Sequence, residues 1–193
     1  MTYNAKILAF AGSTRKSSYN KKLSKIAAQA ARKEGAIVTY IDLNDYPLPL
    51  YDEDIETKNG IPENALKLKQ LFNETDGFII SSPEYNSSIS GVLKNTIDWV
   101  SRPVKNEPVL SGFKNKIAVI LSASPGNLGG LRGLSQLRHV LNNLYVIVLP
   151  EQITISNADK AFNDTDQLID AKKQEAIELL GKNLTTTINK LNR

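Results

Sequence analysis

The apolar positions of the chain fall into two alternating patterns. Five short runs, Ile7–Ala11, Val38–Ile41, Gly77–Ile80, Ile117–Leu121 and Tyr145–Leu149, have strand length and are mostly rich in Ile and Val. They are continuous rather than alternating, as expected for strands covered on both faces. Between them, apolar residues recur at helical spacing. Leu23, Ile26, Ala27, Ala30 and Ala31 form one stripe, and Leu68, Leu71 and Phe72 a second. Leu93, Ile97 and Val100 form a third, and Leu134, Leu137, Leu141 and Leu144 a fourth. Ile169, Ala176, Leu180, Leu184, Ile188 and Leu191 mark a long final helix. One stretch, Leu43–Ile61, breaks the rhythm. It is acidic in its middle and holds Pro47 and Pro49, so it reads as an excursion between the second strand and the second helix.

Strand and helix thus alternate five times, which predicts right-handed βαβ units. The expected fold class is α/β: a flavodoxin-like three-layer sandwich with a five-stranded parallel sheet, order 2-1-3-4-5, and helices on both faces. With 193 residues and no linker, repeat or low-complexity tract, residues 1–193 are expected to form a single domain.

Composition then excludes several classes. Apolar residues make up 41% and charged residues 23%, ordinary for a globular chain. No apolar segment is long enough for a membrane span, and Ile7–Ala11 reads as a strand rather than a signal-peptide core. Cysteine is absent, which excludes disulfides and thiol redox chemistry and fits the cytoplasm. Any electron transfer must therefore rest on a bound cofactor. The single histidine, His139, makes a histidine-rich metal site untenable and reads as a flank or interface residue of the fourth stripe. The net charge of +4 comes from scattered Lys and Arg without a basic run, so nucleic-acid binding is not expected.

The chemically unusual residues sit in three strand-to-helix turns: Gly12–Asn20, Ser82–Asn86 and Ser122–Gly130. In an open parallel sheet such turns gather outside the carboxyl ends of the strands, where ligands bind. Hydroxyls, one arginine, an aromatic and glycines together suggest one composite site for a flat ligand carrying a phosphate. In the first turn, backbone N–H groups at the helix start can hold a phosphate, with Ser13 and Ser18 as hydroxyl donors and Arg15 as a charged fork. Asn20 can hold the turn or donate its amide. The competing reading is that Ser18 caps the helix and Arg15 is a solvated loop residue. Neither G-x-x-x-x-G-K-[ST] nor G-x-G-x-x-G is present, which disfavours a P-loop and a dinucleotide fold. Asp42, at the end of the second strand, reads as a turn or cap residue. A mononucleotide phosphate fits better.

The second turn continues to Pro103, giving P-E-Y-N-x-S-x-S-G-x-L-K-N-x-I-D-W-x-S-R-P from Pro83. With G-S-x-R-x-x-S-x-N at Gly12–Asn20 and S-x-S-P-G-x-x-G-G at Ser122–Gly130, it closely resembles the NADPH-dependent FMN reductase family, which includes flavodoxin-like quinone, azo-dye and chromate reductases. The resemblance runs from Lys6 to Pro150. It implies that Ser13, Arg15, Ser18 and Asn20, with Tyr19 beside them, hold the FMN phosphate. It implies that Pro83, Glu84, Tyr85 and Asn86 line the isoalloxazine ring, and that Ser122, Pro125, Gly126 and Gly129 form the third wall. A carboxylate beside a reduced flavin is unfavourable, so Glu84 is expected to serve the ring by its backbone and to turn its side chain toward a subunit interface. Where the family pattern has proline before Gly91, this chain has Ser90, which is expected to loosen that loop.

The activity implied is ping-pong transfer of a hydride from NADPH or NADH to bound FMN and on to a small-molecule acceptor such as a quinone or azo compound. The resemblance also implies a homodimer or homotetramer, with the third and fourth helices, Trp99 and the Leu-rich stripe as the expected contact surface. Trp99 reads as packing or subunit contact rather than a flavin stacking partner, Lys94 and Asn95 as capping and subunit contacts, and Asp98 and Arg102 can pair at i,i+4. The alternative is a flavodoxin-type electron carrier that binds FMN without using NADPH directly. Such carriers tend to be acidic with a threonine-rich phosphate loop, and this chain is basic with Arg15 in that loop. A flavin-binding sensor without turnover is a third possibility.

Overall fold

A computed structural model describes residues 3–192. In chain order the elements are β1 (Lys6–Ala11), α1 (Tyr19–Lys33), β2 (Ile37–Tyr40), a 3-10 turn (Leu43–Asp45), α2 (Glu53–Asn59), α3 (Glu63–Asn73), β3 (Gly77–Ser81), β4 (Glu84–Tyr85), β5 (Ser88–Ile89), α4 (Gly91–Val100), β6 (Ile117–Ala123), α5 (Leu131–Asn143), β7 (Ile147–Ile155) and α6 (Ala171–Leu191). The main sheet is parallel, in the order β2-β1-β3-β6-β7. Counting its five strands alone, that is the expected 2-1-3-4-5. β4 and β5 form a separate antiparallel hairpin. Among the described residues, no helix is long and apolar enough to cross a membrane.

Strand side chains alternate between the two faces, and the two cores follow that parity. Ile7, Ala9, Ile79, Val119 and Leu121 face α1 and α6. Leu8, Phe10, Phe78, Ile80, Ala118 and Ile120 face α3, α4 and α5. Both faces are covered, which is why the three inner strands read as continuous apolar runs. α1 and α6 approach closely at Gly181, where an added Cβ would lie 2.1 Å from the Ala27 carbonyl oxygen.

The last strand and the last helix depart most from the sequence pattern. β7 starts at Ile147 and runs through Pro150 to Ile155, while Tyr145 sits before it in a left-handed turn with φ 61°. A bulge makes this possible: the register jumps from Ala118↔Val148 to Ile120↔Gln152, so Pro150 owes no ladder hydrogen bond. Arg138 of α5 fixes the bulge by donating to the Val148, Leu149 and Pro150 carbonyls. In the last helix Ile177 is buried and Ala176 is not, whereas Ile169, outside the helix, and Leu191 at its end are 66% and 67% exposed.

The Leu43–Ile61 excursion contains the 3-10 turn and α2, and one stripe of α4, continued by Arg102 just past its end, straps it down. The Pro49 carbonyl accepts from Asn95 Nδ2 at 2.9 Å and Trp99 Nε1 at 2.8 Å. Asn95 Oδ1 accepts the Tyr51 N–H, and Arg102 pairs with Glu56 at 2.8 Å. The Tyr51 ring meets Trp99 edge-on at 5.0 Å. This corrects two expectations. Asp98 pairs with Lys94, not Arg102. Trp99, Leu134, Leu137 and Leu141 are fully buried within the chain, so they cannot form a subunit contact surface. His139, by contrast, is exposed. Asp42 caps the 3-10 turn, accepting the Asn44 N–H, and pairs with Lys21.

Candidate active site

The carboxyl ends of β1, β3 and β6 open on a cavity of about 290 Å³. Its walls are Ser13, Arg15, Ser18, Tyr19, Asn20, Pro83, Glu84, Tyr85, Ala123, Ser124 and Pro125. The three turns singled out in the sequence therefore meet at one place.

The first wall is the start of α1. Ser18 occupies the N-cap with extended backbone (φ −74°, ψ 126°), yet its hydroxyl makes no cap hydrogen bond, and the first turn carries no acidic residue. The leading N–H groups, the positive end of the helix dipole and a spare hydroxyl thus adjoin the cavity, an arrangement suited to an anion. Arg15 is exposed at the rim, its guanidinium carbon 4.8 Å from the Tyr19 ring centre. Ser13 Oγ accepts the Arg15 N–H at 3.3 Å.

Asn20 does a different job. Its Nδ2 donates to the Ala123 carbonyl at 2.9 Å, and its Oδ1 accepts the Ala123 N–H at 2.9 Å and the Ser81 hydroxyl at 2.8 Å. The side chain is 3% exposed. It staples the first turn of α1 to the ends of β3 and β6, so of its two expected roles the structure shows the holding one.

The second wall is the turn after β3. Pro83 is buried, and Tyr85 stands 59% exposed at the mouth. Asn86 and Ser87, with φ 51° and 64°, form a two-residue hairpin turn that needs left-handed backbone at both positions. Asn86 is therefore carried to the hairpin tip, outside the cavity walls. The Glu84 carboxylate reaches the start of α5 and accepts the Gly133 N–H at 2.8 Å. Its partner within the chain is thus a helix N-terminus, and the helix dipole offsets the charge that would disfavour a reduced ring.

Strand parity decides the third wall. Ser122 lies on the α5 face of β6, fully buried, its hydroxyl unpartnered. A Cβ on Gly130 would fall 1.8 Å from that hydroxyl, and Gly130 has φ 94°. Ser122 therefore sits beneath the turn and does not reach the cavity. Gly126 and Gly129 shape the loop without lining the cavity, Gly129 packing on the Ile155–Ser156 backbone. Ala123 and Ser124 line it instead, though the sequence reading passed over them. The signal was available: counting in twos from Val119 and Leu121 puts position 123, not 122, on the α1 side.

Ser90 also differs from expectation. Its hydroxyl donates to the Gly12 carbonyl at 2.6 Å and accepts the Leu93 N–H at 3.2 Å, capping α4. The serine ties the second turn to the first where looseness was expected.

An open parallel sheet with an anion-suited helix start and an aromatic-rimmed cavity at its strand ends defines a flavodoxin-like binding protein. Comparison with known proteins narrows the class. The family model "NADPH-dependent FMN reductase" matches residues 5–160. An NAD(P)H-dependent FMN reductase of Pseudomonas aeruginosa is 35% identical over 179 residues, covering 92% of each chain. The quinone reductase of Escherichia coli K12 is 33% identical over 180 residues, covering 88% of each. A flavoenzyme NAD(P)H:(acceptor) oxidoreductase from Paracoccus denitrificans superposes with a TM-score of 0.77 at 26% identity, covering 96% of this chain and 98% of its own. The chain belongs to the NADPH-dependent FMN reductase family. Its cofactors are accordingly FMN and an NAD(P)H donor. The residues present fit that group: an uncapped helix start, a free Ser18 hydroxyl and a rim arginine for a phosphate, and a proline- and tyrosine-lined slot for a flat ring.

Proposed function

We propose that the protein is an FMN-dependent NAD(P)H oxidoreductase that reduces quinones, azo compounds or similar small acceptors, with FMN held in the strand-end cavity. The convergence of all three turns on one cavity, with the Ser18 hydroxyl unspent at a helix N-cap, carries this reading. The quinone reductase and FMN reductase named above support the acceptor class. Bound FMN would supply the two-electron chemistry, accepting hydride from NAD(P)H and passing electrons to the acceptor.

The chain's own groups bind and orient. Ser13, Arg15, Ser18 and the first N–H groups of α1 take the phosphate, with Tyr19 beneath Arg15 and Asn20 fixing the turn. Pro83, Glu84 and Tyr85 from one side, and Ser124 and Pro125 from the other, bracket the ring. Asn86, Ser122, Gly126 and Gly129 support these walls by turn geometry and packing. Glu84 is committed to Gly133, so no side chain is named as acid or base.

The visible spectrum of the purified protein, with identification of the released chromophore, tests the reading. A flavin spectrum and anaerobic bleaching by NADPH without a second protein are the expected results. A colourless protein that takes up no FMN overturns the cofactor assignment, and a flavin that NADPH fails to bleach favours the electron carrier. Donor and acceptor share one cavity mouth, so initial-rate lines at varied acceptor should be parallel in double-reciprocal plots. Lines that intersect at all acceptor concentrations refute the shared site. The reading extends to a homodimer or homotetramer acting in the cytoplasm. Tyr85, Leu128 and Leu131, exposed by 59%, 46% and 44%, support assembly near the cavity. A monomer mass by light scattering at micromolar concentration would count against it.

A further inference from the structure

Arg15 is exposed, and a free arginine on a loop samples many rotamers. Here it is the top of a stack. Its guanidinium carbon lies 4.8 Å from the Tyr19 ring centre. The Tyr19 ring in turn lies parallel to Phe162, with centroids 6.0 Å apart and planes 6° apart. Lys22 Nζ lies 5.4 Å from the Phe162 ring centre and pairs with Asp166 at 2.6 Å. The order is cation, ring, ring, cation, and only the two inner members are apolar.

Phe162 comes from the loop between β7 and α6, just beyond the residues matched by the family model, 5–160. That loop is well braced. Phe162 bridges to Leu168, and Asn163 Oδ1 accepts the N–H groups of Thr165 and Gln167. Asp166, in left-handed backbone with φ 61°, donates its N–H to the Asn163 carbonyl. The Lys22–Asp166 pair then fastens the loop to α1.

We infer that Phe162 is a positioning residue for the Arg15 guanidinium, acting through Tyr19, and that it raises the preference of the cavity for a phosphorylated flavin over its dephosphorylated form. The inference rests on the proposed placement of the FMN phosphate at Arg15. Stacking on a ring that is itself packed against Phe162 restricts the arginine before the ligand arrives, and pre-ordering of this kind strengthens binding without adding a contact to the ligand. Phe162 does not line the cavity itself and stacks on the wall residue Tyr19, so its effect travels through Tyr19.

The experiment titrates the deflavinated full-length protein with FMN and with riboflavin, for the wild type and for Phe162→Ala, Phe162→Tyr, Arg15→Ala and the Phe162→Ala/Arg15→Ala double variant. Phe162→Ala is expected to raise the Kd for FMN roughly two- to tenfold, the span of one aromatic and one cation–π contact. The Kd for riboflavin should stay within about twofold, Phe162→Tyr should restore FMN binding, and Phe162→Ala should add nothing in the Arg15→Ala background. Equal weakening of both flavins, or additive effects of the two substitutions, overturns the inference by showing a merely structural role. FMN binding unchanged in Phe162→Ala but weakened in Arg15→Ala overturns it while leaving the phosphate placement intact. Arg15→Ala that fails to separate FMN from riboflavin removes the phosphate placement, and this inference with it. Absence of FMN binding by the wild type removes the cofactor reading altogether.

Discussion

Single residues at the strand ends divide between binding and holding, and hydrogen-bond capacity separates the two. Ser18 keeps its hydroxyl free at a helix N-cap, whereas Asn20 spends its amide on Ala123 and Ser81. Asn20→Ala would leave the Ser81 hydroxyl and both Ala123 backbone groups without those partners in a buried place. The expected loss of stability is about 2–4 kcal/mol by denaturant unfolding, and a loss below about 0.5 kcal/mol would show that the staple is idle. The sequence reading gave Asn20 both roles and could not choose, because the choice depends on residues 61 and 103 positions away. Ser122 and Ser124 carry the same lesson. Composition marks both as hydroxyls at a strand end, but parity within β6 sends Ser122 under Gly130, whereas Ser124 lies past the strand end, in the turn that lines the cavity.

Elements owe their placement to faces that the apolar pattern shows only in part. The pattern gave the buried side of α4 as Leu93, Ile97 and Val100, but the strapping stripe of Asn95, Trp99 and Arg102 is polar and aromatic and left no such signature. Trp99→Phe removes the indole N–H from the Pro49 carbonyl and leaves a small void. Destabilisation of roughly 1–3 kcal/mol is expected, with faster limited proteolysis within residues 49–60. An unchanged cleavage rate would mean that the excursion is held by its other ties. On the opposite face, Gly181 lets α6 settle onto α1. A methyl there must displace the Ala27 carbonyl, so Gly181→Ala should cost about 1–3 kcal/mol. A melting temperature equal to that of wild type would show that the two helices can separate freely.

At the scale of the whole molecule, the cavity occupies one end of the sheet and a buried lysine the other. Lys116 Nζ donates to the carbonyls of Phe72, Asn73 and Thr75, closing the end of α3. Burial pushes its pKa down from 10.5 to about 8, against a smaller upward pull from Asp76. The unfolded lysine keeps its proton to higher pH than the folded one. Between about pH 8 and 10.5 the unfolded chain therefore binds more protons, and stability rises with pH across that window by up to about 3 kcal/mol. Urea unfolding at several pH values, compared with Lys116→Met, should show this slope in wild type and lose it in the variant. Identical slopes would mean that the folded lysine titrates normally.

The sequence by itself determined the order of the elements, the five-strand parallel sheet and the three turns that carry the chemistry. Those properties follow from local periodicity and from motifs contiguous in the chain, and each is settled within a few residues. Tertiary structure alone decided that Asn20 is spent on Ala123 and Ser81, that Glu84 caps α5, that Ser90 ties two turns together and that Phe162 stacks on Tyr19. Each of these depends on the meeting of segments far apart in sequence. The physical reason is that side-chain hydrogen bonds and ring stacking are short-ranged and directional, so their partners are fixed only when the sheet brings distant strand ends within a few ångströms.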